Sequence, residues 1–515
     1  MNTEFFIANE LAALLAPLIA LAVTLLAGEK RKATLLLFGH LVALIFAVSG
    51  AALAMSQSLI SPVLLEQGFL TLRLDLITSC LLAGITLIAA VVLAFSERYL
   101  GGERHRYKFL CCLSFLSSCA ACLVVTDNLI VAFVCWHLLS LGLWRTMQLQ
   151  DHCRGSAAVV LRHHLLSDLV LFLAMVLVFQ STDTLAFSQL PEVVSSLNSN
   201  FDLFGLPLLP VSQGTVASLL LILSFTIKSA LFPFHRWLLA TLDAPTPLSG
   251  LLHAGVVNIS AIMAWRMMPV LQDNVLALAA WGCLSGLSAV VGTLGMSAQP
   301  DVKRKLVYST VGQMGFMSLQ CASGAIGAAL FHLLAHGVFK CHMFLQSGSA
   351  VAEGLNKRKY GYSIDQQSGK RLSSKTFVVT TTLGVCAAAY ILCLNSSWTG
   401  LSAIITGSAV FCAVPALSRI DFKSLSLFWS AALAIALLSG FASSKFESLI
   451  HFVPAISVPI LPLCLSLFGI VAIGLRLVQR SGLAKALYVH SLNGFYTDEI
   501  AFAAQSRFST KKNSL

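Results

Sequence analysis

The chain has 515 residues, 57% hydrophobic and 11% charged, with a formal net charge of +11. No water-soluble globular domain is so apolar and so poor in charge, so composition excludes that class and points to a polytopic membrane protein. The positive balance does not indicate nucleic acid, because the basic residues sit in short segments between apolar runs, the distribution of cytoplasmic loops.

Runs long enough to span a bilayer as helices cover 11–27, 33–55, 74–95, 109–125, 128–144, 164–179, 216–232, 250–268, 274–297, 303–322 and 325–350. Four more follow at 376–394, 401–417, 425–441 and 455–477, which makes about fifteen transmembrane helices and an all-α bundle. Basic segments at 30–32, 98–108, 145–162, Arg236, 301–305, 357–375 and 419–423 alternate with basic-poor ones. The longest basic-poor segment, 181–213, carries Asp183, Glu192 and Asp202 but no Lys or Arg. This alternation predicts a cell inner membrane protein with its N-terminus outside and its C-terminus, with Lys511 and Lys512, in the cytoplasm. Glu4 and Glu10 precede or open the first span, where a cleaved signal would be basic, so no signal peptide is expected. The 14 cysteines have no metal-ligand spacing, and Cys119-Ala120-Ala121-Cys122 lies in an apolar run, so they read as small packing residues.

Rare polar residues interrupt this pattern. Asp168 lies in the sixth span. Lys228 lies in the seventh, five residues before Pro233, and is followed by His235-Arg236-Trp237 and Ala244-Pro245-Thr246-Pro247. The eighth span carries His253 and Asn258. A lysine at membrane depth costs roughly 2.5–3.5 kcal/mol on insertion scales, and proline frees carbonyls that only protein or water can satisfy there. Together they read as a wet, proton-bearing path, the competing reading being a snorkelling lysine beside simple kinks. Lys303 follows Asp301, which suits a helix start; it either points inward or only sets topology. In the eleventh span His332, His336 and Lys340 are spaced i, i+4, i+8, drifting only ~40° per step and therefore sharing one face. Two imidazoles and an amine in a row inside an apolar helix suit a proton relay. Zinc is the competing reading, but the spacing lacks the glutamate of His-Glu-x-x-His and no third ligand stands nearby. No metal or catalytic centre is expected in this chain. The segment from Gly354 reads as a polar linker, and Leu487-Tyr488-Val489-His490 with Asn493-Gly494 as an interfacial stretch.

Lys228-Ser229-Ala230, Pro245-Thr246-Pro247-Leu248-Ser249, His253-Ala254, Asp301-x-Lys303-Arg304, Tyr308-Ser309-Thr310 and His332-x-x-x-His336-x-x-x-Lys340 together resemble the antiporter-like subunits of respiratory complex I and Mrp antiporters. The resemblance runs from about Asp75 to Ala352. It implies inverted five-helix repeats with broken helices, and a hydrated proton path lined by residues matching Lys228, His253, Lys303, His332, His336 and Lys340. Asp168 matches the family's acid near the first lysine. The implied organisation is N-terminal transmembrane helices at 1–108, an ion-translocating core at 109–352, a cytoplasmic linker at 353–375, C-terminal transmembrane helices at 376–478 and a cytoplasmic tail at 479–515.

Two departures are informative. Where the family has Trp-Glu, this chain has Trp136-His137, which makes His137 a candidate path residue. No membrane-centred lysine stands between Thr376 and Phe441, and no long lateral helix is expected beyond the bundle. A narrower group shares these losses: the run from Trp136 to Leu143, Leu252-His253-Ala254-Gly255-Val256-Val257-Asn258 and Gln313-Met314-Gly315-Phe316-Met317 resemble the DabB family of membrane subunits of DAB inorganic carbon pumps. That resemblance implies a hetero-complex with a DabA-like cytoplasmic zinc protein similar to a β-carbonic anhydrase. Ion movement through the membrane subunit would then drive conversion of CO2 to bicarbonate, with the zinc in the partner and no cofactor in this chain. The alternatives are a complex I-like redox-enzyme subunit and an Mrp-type cation/proton antiporter subunit. A copurifying zinc protein favours the first reading, flavin and iron–sulfur subunits the second, and further multi-span partners the third.

Overall fold

A computed structural model describes residues 2–56, 63–67, 70–198, 200–203, 206–359 and 488–493. The chain starts with a packed helix pair, α1 (Asn2–Leu26) and α2 (Glu29–Ser56), then a hairpin of β1 (Val63–Gln67) and β2 (Leu70–Leu74). Four helices follow: α3 (Leu76–Tyr99), α4 (Arg106–Val125), α5 (Leu129–Gln148) and α6 (Arg154–Thr182). A short α7 (Leu190–Val193) and a second hairpin, β3 (Asn200–Leu203) with β4 (Leu206–Ser212), lead into α8 (Gln213–Lys228). The chain then advances in pieces, α9 (Arg236–Ala240), α10 (Thr246–Leu251), α11 (Ile259–Arg266) and α12 (Met268–Leu271). The last long helices are α13 (Val275–Ala298), α14 (Val302–Ala322) and α15 (Ile326–Lys359).

Among the described residues nine helical segments are long and apolar enough to cross a membrane, and α8 is a shorter apolar helix. The protein is a multi-pass, mainly helical membrane protein. Ten of the first eleven expected spans fall on these nine segments or on α8, while the one expected at 303–322 falls on α14, a helix of spanning length that is too polar to be counted among them. The four expected between 376 and 477 lie outside the described residues. Three details differ from expectation. The two hairpins stand where only loops were expected, and the first is tied down where Asp127 N donates to Thr71 O at 2.8 Å. α6 begins at Arg154 rather than near 164, because its polar first turns continue the helix outside the apolar stretch. α15 runs on to Lys359, past Gly354, where the linker was expected to begin.

The helix starts follow from their capping residues. Asp75 caps α3 in a reciprocal box with Thr78, each bond being 2.8 Å. Asn128 accepts from Ile130 N at 2.9 Å and Val131 N at 3.2 Å, and Asp301 accepts from Arg304 N at 2.7 Å. Each satisfies backbone donors that would otherwise be left unpaired, worth about 1 kcal/mol apiece. The short helical stretch at 488–492 docks where Gln299 Nε2 donates to Leu492 O at 3.0 Å.

Between membrane helices the lipid-side hydrophobic drive is absent, so close packing of small residues carries association. α13 and α14 meet this way, with Gly292 facing Gly312 and Gly315 lying on the backbone of Ser285 and Ala289. A Cβ at Gly315 would stand 2.6 Å from Ser285 O and from Ala289 N, neither of which can swing aside. Gly315→Leu is therefore expected to lower stability by at least about 1–3 kcal/mol, seen as a fall in Tm and folded yield in detergent. Gly155→Ala, where a Cβ meets nothing within 4 Å, should leave Tm unchanged or slightly raised.

Candidate ion path

The helix carrying Lys228 ends at that residue instead of continuing to 232, which corrects the expectation of a lysine in mid-helix. Pro233 offers no backbone donor and disfavours helix for the residue before it. The chain leaves the helix through Ala230, whose φ of 53° lies in the left-handed region that a side chain rarely adopts. Leu231 N turns back to Thr226 O at 3.0 Å, and Trp237 Nε1 clips Ile227 O at 2.8 Å. The ammonium of Lys228 thus sits at a helix C-terminus, where backbone carbonyls favour positive charge.

Lys228 has no solvent exposure and is held on every side. Its Nζ donates to Asp168 Oδ1 at 3.1 Å and Trp136 O at 3.1 Å, and also to Ser140 Oγ. It stands 4.8 Å from the Trp136 ring centre, a cation–π contact worth about 2 kcal/mol when desolvated. The other oxygen of Asp168 bonds His137 Nδ1 at 2.9 Å. Asp168 is thus bracketed by an amine and an imidazole, with His137 partly exposed at its outer side.

The second break faces the first. α10 and α11 are joined by one π-helical turn, Leu252–Val256, which carries His253. Ser229 Oγ, next to Lys228, donates to Val257 O at 3.2 Å and so ties the two breaks together. His253 stacks on Phe344 of α15 with ring centres 4.2 Å apart. One turn earlier on α15, Lys340 donates to Leu306 O of α14 at 3.0 Å. His332 and His336 meet edge to face at 5.8 Å, and His332 Nδ1 pairs with Gln320 Oε1 at 3.0 Å. The buried rings of His253 and His336 have no hydrogen-bond partner among the described residues. Buried imidazoles without protein partners are what a water-filled path would use.

The structure therefore brings the predicted residues into two groups: His137, Asp168 and Lys228, and His253, His332, His336 and Lys340. Lys303 joins neither; it is half-buried in the first turn of α14, three residues before the Leu306 carbonyl that receives Lys340. Among the described residues no three His, Cys, Asp or Glu side chains converge as a metal site, so His332 and His336 gain no third ligand there.

Several participants were not singled out from the sequence. Ser140 bridges Lys228 and Asp168 one turn beyond Trp136, a spacing visible in retrospect. His164 lies one turn from Asp168 on α6, fully buried, with neither nitrogen partnered among the described residues and its ring edge-on to Trp237 at 4.4 Å. Its i, i+4 relation to Asp168 was the available signal. Gln320 pairs with His332 from another helix, which no local pattern reveals.

Residues 126–422 match the transmembrane family described as NADH:quinone oxidoreductase/Mrp antiporter. The chain belongs to that family. Among curated relatives, a probable inorganic carbon transporter subunit DabB of Bacillus subtilis is 36% identical over 277 residues, 53% of each chain. The corresponding protein of Bacillus anthracis is 33% identical over 329 residues, 63% of this chain and 61% of the relative. The chloroplastic NAD(P)H-quinone oxidoreductase subunit 5 of Marchantia polymorpha is 32% identical over 296 residues, 56% of this chain and 41% of the relative. The chain thus spans between about two fifths and three fifths of the length of these relatives. The fold is shared with a chain of the Mrp complex of Dietzia sp., with a TM-score of 0.58 at 21% identity, covering 99% of this chain and 60% of that one. A chain of an archaeal membrane-bound sulfane sulfur reductase gives 0.57 at 16% identity, covering 90% and 74%.

The ion pair makes a stability prediction independent of transport. Removing one partner leaves the other as an uncompensated buried charge, at a cost of about 3–5 kcal/mol, whereas removing both restores neutrality. Lys228→Met and Asp168→Leu are each expected to lower Tm in detergent, and the double variant should recover much of the loss. Additive losses in that cycle would show that the two charges do not depend on one another.

Proposed function

We propose that this chain is the membrane subunit of an energy-coupled inorganic carbon uptake complex. It conducts protons or another cation through the Lys228 and Lys340 groups and drives a DabA-like cytoplasmic zinc protein, resembling a carbonic anhydrase, that converts CO2 to bicarbonate. The observation carrying this reading is the Lys228 site itself: a fully buried amine at a helix break, paired with Asp168, with His137 in the place of the family's glutamate. That substitution, in a chain related to two DabB proteins, favours the carbon-uptake branch. The relay residues are Lys228, Asp168, His137, His253, His332, His336 and Lys340, with Lys303 at one end of α14. The chain has no catalytic centre of its own under this reading, the zinc being held by the partner. It lies in the cell inner membrane with its N-terminus outside and its basic loops, which offer the docking surface, in the cytoplasm.

A second reading, a proton-pumping subunit of an NADH-quinone oxidoreductase or a subunit of an Mrp-type cation/proton antiporter, draws on the chloroplastic relatives and the Mrp fold. Copurification separates them: a zinc protein supports carbon uptake, flavin and iron–sulfur subunits the redox complex, and further multi-span partners the antiporter.

Two outcomes test the first reading. Lys228→Ala should abolish complex-dependent growth at low CO2 even when compared at equal amounts of assembled complex. His336→Leu should reduce carbon accumulation by about a hundredfold or more, the order expected for losing a proton-transfer group. His40→Leu should retain most of it, because His40 is a packing histidine whose two nitrogens are spent on Leu36 O at 3.0 Å and Ser117 Oγ at 2.9 Å. Equal losses would assign both effects to packing.

The second outcome concerns energy. A conduit with no redox site can only let an ion gradient act on something bound to it, so accumulation needs both the gradient and the partner. A protonophore should stop accumulation while NADH oxidation by the same membranes continues. Uptake that survives collapse of both proton and sodium gradients sinks the coupling reading.

A further inference from the structure

Glu10 lies in α1, ahead of the segment matched by the family, and the path described above does not use it. Its side chain is buried, with 1% exposure, and neither carboxyl oxygen has a hydrogen-bond partner among the described residues. Gly50 of α2 makes room for it, since a Cβ there would fall on Oε1. The polar groups around it are committed elsewhere. Asn9 Nδ2 donates to Phe5 O at 3.0 Å, and its Oδ1 accepts from Ser49 at 3.0 Å. Ser79 Oγ donates to Asp75 O at 2.9 Å while also standing beside the Glu10 carboxyl, and Asp75 is paired with Arg73 at 2.9 Å.

The titratable groups facing Glu10 are Asp75 and Cys80, both from α3. α2 presents Ser49 and Gly50 at this level, and the polar contact of α4 with α1 falls at the far end, between Cys111 and Thr24. Among the described residues no cation from these elements faces the carboxyl. Burying an unpaired carboxylate costs so much that the group neutralises instead, and a second carboxylate nearby adds to the cost. A bound metal cation would need several oxygens besides the two of Glu10, and among the described residues the neighbouring ones are in use.

We propose that Glu10 is an exchangeable proton-binding carboxyl, a second proton site separate from the Lys228 and Lys340 groups. Its neighbour Asp75 links it to the broken-helix region. Asp75 holds Arg73, whose guanidinium stands 5.3 Å from the Trp265 ring centre, and Arg266 covers the same ring at 4.4 Å. Arg266 closes α11, the helix that continues from His253, and donates to Val124 O at 2.7 Å. Release of the Glu10 proton places a negative charge beside Asp75 and so acts on this contact at the end of α11.

Infrared spectroscopy of the intact complex in lipid reads the proton directly. The expected result is a neutral-carboxyl C=O stretch that disappears in Glu10→Gln, moves but persists in Glu10→Asp, and weakens as pH is raised. Its role in transport rests on the ion-conducting reading, and carbon accumulation in Glu10→Gln should fall by about tenfold or more. No band lost in Glu10→Gln means an ionised Glu10 and overturns the proposal. A band that never responds to pH means a locked structural proton and overturns it as well. A band removed by sodium at fixed pH means a cation site instead. Lys228→Ala is measured alongside: full activity there defeats the ion-conducting reading, while the band still decides the state of Glu10.

Discussion

The buried pair of Lys228 and Asp168 is the constraint around which the middle of this bundle is arranged. A lone ammonium at that depth would be expelled or neutralised. It persists because Asp168 lies opposite, Ser140 and the Trp136 carbonyl accept its remaining hydrogens, and the Trp136 ring covers it. Three helices must therefore hold their depth and rotation together: α5 for Trp136 and Ser140, α6 for Asp168, α8 for the amine. Ser167 and Ser224 reinforce this by exchanging bonds across α6 and α8, with Ser167 Oγ donating to Ser224 O and Ser224 Oγ to Ser167 O, both at 2.9 Å.

Such a pair is poor evidence for stability, since desolvation offsets much of the attraction. Under the proposed ion-conducting reading, its use is that it can be rearranged. Asp168 is shared between Lys228 and His137, so a proton gained or lost at either changes the balance of the trio. The helix breaks make that possible. Irregular backbone at membrane depth is tolerated only where protein or a wet cavity satisfies it, and the two breaks here satisfy each other through Ser229 and Val257. They also leave His253 and His336 buried without protein partners among the described residues.

The family resemblance and the geometry bear on different questions. The resemblance places the lysines and histidines in order along the chain. The geometry adds that the acid meeting Lys228 comes from α6, while the α5 position that carries an acid in the family carries His137, which binds the acid and not the lysine. A site with one acid shared by two bases differs in its protonation states from one with two acids.

Much of the bundle was legible in the chain, for physical reasons. Twenty or so apolar residues must span a bilayer as a helix, so nine of the first eleven spans stand out by hydropathy, while α8 is shorter and α14 more polar. The row of His332, His336 and Lys340 followed from helical periodicity, and Lys228 and Asp168 stood out as rare charges in apolar surroundings. Local patterns could not say where α8 would stop, because that depends on Ala230 taking a left-handed conformation and on Trp237 clipping Ile227. Nor could they say that Ser140, His164 and Gln320 would join the polar groups, that Lys303 would stay apart, or that Glu10 would be sealed between α1, α2 and α3. The sequence by itself determined which residues are costly in a membrane, since that cost belongs to each side chain. Only the tertiary structure decided which of them meet, since a charge or imidazole at membrane depth is satisfied by groups on other helices, far away in the chain.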